Sequence, residues 1–403
     1  MVFIDDLRWD AFSQLAPRLR HAGVRTVRLT TRTGAIARVA SRLLFDRHVT
    51  LASPADGRMV RQVIDEENVI DIQFVETLGV LVCDNLDLLD PSVAASVSAR
   101  LAIMDKYAAS RTFREADIRT PLVMLASETT PSAVATRFGL PVVTKKTVGC
   151  GGDHVTIAAS VEELEATALG WDGDARHHFY EQYIAGEKLN YAATVSGDGI
   201  RQELTYRVSK WIQPVGTGME IETVDDQRLL EFGRRAVAAS GCTGLVNLDI
   251  LRDVDGVDRL IDFNARAFGG GANFLTVGVD VSEGYLASLG VGTTPVSRCG
   301  PQPHARIRVF PACLGEARLE GGIASLAATF LRESWPYARW LGWRYWFSEV
   351  LRAPDMAKAT LRQRRSARVA SVRAPAAPST TPARRSVGSS SDSAATGAVE
   401  ITH

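Results

Sequence analysis

The residues best placed to do chemistry lie in two apolar runs, Leu245-Val-Asn-Leu-Asp-Ile-Leu251 and Leu260-Ile-Asp-Phe-Asn-Ala-Arg266, on either side of an Asp255-Gly256 pair. Apolar runs flanking Asp-Gly predict a β-hairpin. A turn centred on that pair sets Asp249 opposite Asp262 and Asn247 opposite Asn264. Side chains two apart share a strand face, so Asp249, Asp262 and Asn264 converge, with Arg266 beyond them. Opposed carboxylates repel and ask for a cation between them. Hard oxygen ligands suit Mg²⁺, with Mn²⁺ able to take its place, and Mg²⁺ is usually shared with the phosphates of a nucleotide. The competing interpretation is a pair of solvated strand residues with the repulsion relieved by water.

Two further groupings point to parts of a nucleotide. Lys145 closes the stretch Pro141-Val-Val-Thr-Lys145 and is followed by Gly149, Gly151 and Gly152. Glycines let successive backbone N–H groups turn toward an anion, a lysine adds a compact positive charge, and such a loop can close as a lid. The same glycines also suit a plain turn between two strands, and their spacing is not that of a P-loop. In Tyr180-Glu-Gln-Tyr-Ile-Ala-Gly-Glu187, a strand leaving its sheet can offer backbone groups to an adenine edge while Glu187 accepts ribose hydroxyls. Glutamates at strand ends are more often simply solvated, and a lysine at a helix start, such as Lys106, is more often exposed.

The elements that must hold these residues alternate. Residues 1–4, 24–30, 48–52 and 69–75 read as strands and 9–22 and 54–68 as helices, a parallel α/β pattern without a dinucleotide-binding glycine motif. A helical stretch opens at Asp105-Lys106 and stops before Pro121. Strands at 122–126 and 141–147 enclose a helix at 131–138, and Ser160-Val-Glu-Glu163 starts another helix after a strand at 155–159. A strand at 179–184, a meander over 188–212 and a helix at 226–239 lead into the hairpin.

In this order and spacing the pieces resemble the ATP-grasp superfamily, which includes biotin carboxylase, D-alanine–D-alanine ligase and carbamoyl-phosphate synthetase; the resemblance covers roughly residues 90–290. The resemblance and the composition beyond it together give an α/β (α+β) protein with five parts. These are an N-terminal α/β domain (1–90), a first ATP-grasp lobe (91–180), a second lobe (181–310), a helical aromatic-rich segment (311–352) and a basic, disordered tail (353–403). The resemblance also implies that Lys106 and Lys145 hold ATP phosphates and that Gly149, Gly151 and Gly152 belong to the mobile loop. Glu181, Gln182, Tyr183 and Ile184 would form the adenine hinge, Glu187 would meet the ribose, and Asp249, Asp262 and Asn264 would bind the metal. Arg266, with Lys145, would act on the transferring phosphate. The activity implied is a Mg²⁺-dependent ligase that activates a carboxylate as an acyl phosphate for attack by an amine. The alternatives are a bicarbonate-activating carboxylase and a regulatory ATP-binding protein. Two departures stand out: Asp262 occupies a position usually held by glutamate, and Val148 and Cys150 replace loop glycines. His154, His177 and His178 receive no role.

Composition argues against nucleic acid as a partner. The 403 residues carry 46 basic and 46 acidic side chains, so no global field favours nucleic acid. Five cysteines without a C-x-x-C pair, and no signal or spanning run, suit the cytoplasm, and a homodimer is one expected assembly. Four of the seven tryptophans lie between Trp335 and Trp346. If that segment is one helix, Trp340, Trp343 and Phe347 share a face; capping of the core is favoured over contact of residues 335–368 with an anionic membrane. After Ser366 there are no aromatics, and Ser, Ala, Pro and Thr dominate. Deleting everything after Ser366 is therefore expected to leave folding and ATP binding unchanged; a large loss of thermal stability on truncation would contradict that expectation.

Overall fold

The computed structural model describes residues 1–5, 11–31, 34–53, 56–149, 155–171, 173–211, 218–291 and 304–352, with the backbone alone described at 211, 315 and 318–320. Expectations for Gly151, Gly152 and the tail from 353 onward lie outside these residues.

Three sheets organise the described chain. The first is parallel, with strands β1 (Val2–Asp5), β2 (Val27–Thr30), β3 (Arg47–Thr50) and β4 (Ile72–Phe74) in the order β3-β2-β1-β4. Val2, Phe3, Ile4, Val27 and Leu29 are buried, as central parallel strands covered on both faces must be. A helix absent from the sequence reading, Ala35–Leu44, connects β2 to β3. Ile36, Val39, Ala40 and Leu43 recur at helical spacing, yet in the fold Ile36 and Val39 point outward while Ala40, Ser41 and Leu44 are buried.

The second sheet is antiparallel: β5 (Val123–Leu125), β6 (Val142–Lys146), β7 (Thr156–Ala158) and β8 (His178–Gln182), ordered β5-β8-β6-β7. Its helices start where side-chain oxygens satisfy free backbone donors: Thr130 accepts from Ala133 and Ser160 from Glu163. Val134, Val142, Ala158, Leu164 and Tyr180 form the small core beneath them.

The third sheet is the largest: β9 (Gly186–Ser196), β10 (Gly199–Trp211), β11 (Gly218–Val224), β12 (Gly244–Asp253), β13 (Asp258–Asn264) and β14 (Arg306–Arg308). Its order is β13-β12-β9-β10-β11-β14, antiparallel throughout. Helices Lys106–Glu115 and Gln227–Ser240 bury one face, through Phe113, Leu229, Phe232 and Ala236 against Val246, Leu248 and Phe263. On the other face Ala192, Leu204, Tyr206 and Leu245 join one continuous core with the first sheet and the C-terminal helices.

The aromatic segment does not form the single stripe expected from spacing. The helix Cys313–Leu341 is kinked at Gly321 and Gly322 and ends at Gly342, whose φ of +85° is left-handed; a new helical turn starts at Trp343. Trp340 therefore lies on a different helix from Trp343 and Phe347. Core capping holds for part of the segment: Tyr337 and Tyr345 are buried, and Trp340 and Trp346 pack on the core. Trp335, Trp343 and Phe347 face outward.

Gly233, in the helix Gln227–Ser240, shows how closely this layer rests on the sheet. A Cβ there would come within 2.4 Å of the Tyr191 ring, and that ring is buried with its hydroxyl donating to Glu203 at 2.8 Å. Alanine normally favours a helix over glycine by about 1 kcal/mol, whereas overpacking a fixed core site costs about 1–3 kcal/mol. Gly233→Ala is therefore expected to destabilise the protein by about 1–2 kcal/mol in urea unfolding; a stabilised variant would show that the helix can lift off Tyr191.

Candidate active site

The hairpin forms as the sequence predicts at its open end and differs at its turn. Asn247 pairs with Asn264 and Asp249 with Asp262. Toward the turn the register slips by one, with Ile250 opposite Leu260 and Arg252 opposite Asp258. The loop is wider than an Asp-Gly two-residue turn: the Asp253 N–H donates to the Val257 carbonyl at 3.0 Å, with Gly256 at φ +73° inside it. A one-residue bulge at Ile261 absorbs the difference and restores the expected pairing of the carboxylates. The bulge has a use: the Ile261 carbonyl accepts a hydrogen bond from Lys145 Nζ at 3.2 Å.

Strand pairing lays a polar row across an otherwise apolar sheet. Tyr206 on β10 pairs with Asn190 on β9, Asn190 with Asp249 on β12, and Asp249 with Asp262 on β13. Asn190 Nδ2 donates to Asp249, and the Tyr206 hydroxyl donates to Asn247 Oδ1 at 3.1 Å.

The expected repulsion is answered by lysines. Lys188 Nζ lies 2.9 Å from Asp249 Oδ2, and Lys106 Nζ pairs with Asp262. A cation between the carboxylates is thus not the only way to offset their charge, a correction to the expectation from sequence. Lys106 sits at the first position of its helix, where Asp105 caps by accepting from Ala108 and the Lys106 N–H donates to the Thr147 carbonyl at 2.7 Å. That bond ties the helix start to the end of β6, where the glycine loop leaves. Burial would lower the Lys106 ammonium, but Asp262 and Glu76 outweigh it and raise its pKa. Burial likewise favours a neutral Asp262, yet Lys106, Lys145 and Arg266 hold its carboxyl below the usual range.

Lys145 reaches Glu181 Oε1 at 2.7 Å. Burial pushes the Glu181 carboxyl up, and Lys145 opposes it. Glu181 therefore faces Lys145 rather than solvent. Residues 183–185 leave the second sheet and enter the third at Gly186, with Tyr183 exposed and Ile184 half-buried. Glu187 stands apart from the cluster, against Arg207 at 3.2 Å. Gly149 lies at the last described position before the loop.

Arg266 turns toward the first sheet. Its Nε donates to Glu76 Oε1 at 2.7 Å, and Nη2 to Asn264 Oδ1 at 3.3 Å. Glu76 follows β4, and its second oxygen is buried without a hydrogen-bond partner. Nearby, the Ala267 N–H donates to Gln73 Oε1 at 3.1 Å, so β4 fixes both the arginine and the backbone that carries it. Lys188, Asn190 and Glu76 were not among the residues selected from sequence. The first two lie two apart on a strand, a polar face that alternation could have exposed; Glu76 is separated from Arg266 by 190 positions and carries no local signal.

The donor set tests the site's fit to a hard divalent cation. Asp249, Asp262 and Asn264 offer oxygens on one face, and Asn190 Oδ1 is a buried acceptor without a partner. Among the described residues no cluster of three or more His, Cys, Asp or Glu is assembled. The site matches an oxygen-ligated cation that keeps other ligands from water or substrate, not a closed protein cage.

Residues 103–270 match the family model for the ATP-grasp domain. Among curated proteins, the D-alanine–D-alanine ligase of Haemophilus influenzae (strain PittEE) is 25% identical over 197 residues, which is 44% of this chain and 64% of that enzyme. The chain thus spans less than two thirds of that relative's length. Carboxyaminoimidazole ribonucleotide synthase from Aspergillus clavatus, solved with ATP, superposes with a TM-score of 0.62 at 14% identity, over 75% of this chain and 79% of that one. Biotin carboxylase from Campylobacter jejuni, solved with an ATP analogue, gives 0.57 at 17% identity, over 76% and 74%. At these identities the structural likenesses speak for the fold alone. The domain match, the curated relative and the shared architecture agree that residues 103–270 form an ATP-grasp domain.

Proposed function

We propose that this protein is a cytoplasmic ATP-dependent ligase that activates a carboxylate as an acyl phosphate and joins it to an amine. The observation that carries the proposal is the convergence at one hairpin end of Lys106, Lys145, Asp249, Asp262 and Asn264, with Arg266 held by the first sheet. The match to a D-alanine–D-alanine ligase supports the reaction class.

In this reading Lys106 and Lys145 release their carboxylate partners and take up ATP phosphates. Asp249, Asp262 and Asn264 would hold Mg²⁺, with Asn190 as a further oxygen donor. When bound, the metal supplies charge neutralisation for the transferring phosphoryl group. Arg266 points from the hairpin end and stabilises charge on the oxygens in transfer. The acceptor carboxylate attacks the terminal phosphorus of ATP, the bond to the bridging oxygen breaks, and ADP leaves. The amine then attacks the acyl carbon and displaces phosphate. Positioning does most of the work, because phosphoryl transfer needs little covalent help from the protein. The loop from Gly149 would shield the acyl phosphate from water.

The pairs Lys106–Asp262 and Lys188–Asp249 have a consequence for loading. A bare Mg²⁺ ion must displace an ammonium group from each carboxylate, whereas a Mg²⁺–nucleotide complex brings phosphates that accept the Lys106 ammonium. Calorimetric titration is expected to show little binding of Mg²⁺ alone and clear binding of Mg²⁺–ADP. Mg²⁺ alone binding as tightly as its nucleotide complex would overturn this order.

The reaction itself is tested by trapping. With a panel of carboxylic acids, ATP and hydroxylamine, one acid should give a hydroxamate with ADP as the nucleotide product. AMP with pyrophosphate, or ADP release stimulated only by bicarbonate, would overturn the proposal. Asp262→Asn should lower the trapped product by about two to three orders of magnitude while the thermal midpoint stays close to the parent's. Turnover at the parent rate would remove Asp262 from the metal site.

A further inference from the structure

The C-terminal helices carry an apolar surface that the ligase reading does not use. Leu331, Trp335, Trp343 and Phe347 are 59%, 52%, 56% and 53% exposed. They form one patch. Leu331 and Trp335 are a helical turn apart, as are Trp343 and Phe347. The Trp335 and Trp343 rings lie 5.8 Å apart, Trp343 and Trp346 5.7 Å, and Trp346 and Phe347 5.4 Å. Val350, 37% exposed, extends the Trp343–Phe347 face. The other side of the same helices is anchored: Tyr337 and Tyr345 are buried, and Trp346 Nε1 donates to Ser334 Oγ at 2.9 Å. The outward aromatics are thus held on a fixed platform.

Charge distinguishes the possible occupants. Arg332, Arg339 and Arg344 are exposed around the patch. Beyond it, residues 356–391 contain Lys358, Arg362, Arg364, Arg365, Arg368, Arg373, Arg384 and Arg385 and no Asp or Glu, in a chain whose formal net charge is zero. A second copy docked through the same patch would set like charges against each other, because a two-fold interface places a surface on itself. A single-stranded nucleic acid would use the rings and arginines but has no use for Leu331 and Val350. An anionic bilayer uses all of them: tryptophan and phenylalanine enter the headgroup boundary, aliphatic side chains follow, and basic residues meet the phosphates. No helix among the described residues is long and apolar enough to cross a membrane, so any attachment through this patch is peripheral.

We propose that the patch of Leu331, Trp335, Trp343, Phe347 and Val350, with its flanking arginines, docks this protein onto an anionic phospholipid surface. Hydrophobic insertion supplies one part of the affinity and charge the other, the pairing of two signals that peripheral attachment generally needs. The proposal is independent of the reaction assigned to the hairpin site.

The test is co-sedimentation of the full chain with vesicles of phosphatidylcholine, with and without phosphatidylglycerol. Binding is expected only with phosphatidylglycerol, should weaken as salt is raised, and should shift tryptophan emission to the blue. Trp335→Ser/Trp343→Ser/Phe347→Ser should reduce partitioning about tenfold or more while Mg²⁺–ADP binding is unchanged. The three side chains are each more than half exposed, so little packing is lost. Arg339→Glu/Arg344→Glu should also weaken binding without removing any apolar contact. Equal binding to neutral vesicles, or none to anionic ones, would overturn the proposal. So would a concentration-dependent dimer abolished by the triple serine variant, or retention of an RNA oligonucleotide in preference to anionic vesicles.

Discussion

Two carboxylates, Asp249 and Asp262, face each other on neighbouring strands, and the surrounding molecule is arranged to answer their charge. Directly opposed side chains start about 5 Å apart, and two like charges at that distance cost about 3 kcal/mol at an effective dielectric near 20. Against a typical net stability of about 5–15 kcal/mol, that cost requires neutralisation. Lys188 reaches Asp249 from the adjacent strand, and Lys106 reaches Asp262 from the start of a helix. The protein thus holds its candidate metal-binding oxygens and a candidate phosphate-binding ammonium in mutual satisfaction. Such pairs can be exchanged for a cation and an anion arriving together.

The same logic explains why irregular backbone gathers at this point. The bulge at Ile261 keeps Asp262 opposite Asp249 despite a wider turn, and it offers a carbonyl to Lys145. Without the bulge, a one-residue slip would turn Asp262 to the helix-covered face. Lys145 also pairs with buried Glu181 on the neighbouring strand of its own sheet, and its hydrogen bond to the Ile261 carbonyl links the second sheet to the third.

A buried network joins the first sheet to this arrangement. Arg100 pairs with Asp71 and donates to the Ile72 carbonyl at 2.8 Å, while the Tyr285 hydroxyl donates to Asp71. Burial and then Asp71 push the Tyr285 phenol well above its ordinary range, so it remains a donor. Gln73, on the same strand, bonds Tyr285 and receives the Ala267 N–H. Removing one partner would leave a buried charge uncompensated, which generally costs about 3–5 kcal/mol. The end of β4 is in this way fixed against the hairpin, and Glu76 is carried to Arg266.

The sequence by itself determined what depends on neighbours along the chain. Period-two alternation announced β12 and β13 and the pairing of Asp249 with Asp262, and capping residues such as Ser160 and Asp105 located helix starts. The order of lysine, glycine loop, hinge and hairpin was enough to indicate the superfamily, because each piece has a local signature. Only the tertiary structure decided which charges meet. Alternation marks Lys188 and Asn190 only as a polar strand face and Glu76 not at all, because a side chain's counter-charge is set by which segments lie adjacent, a non-local property. The C-terminal aromatics fail in the opposite way. Helical spacing placed Trp340, Trp343 and Phe347 on one face, but the left-handed turn at Gly342 breaks the helix between them. The break separates Trp340 from Trp343 and Phe347, and each helix then presents aromatics to both core and surface. Periodicity in a sequence presumes an unbroken helix, and a glycine at positive φ removes that premise.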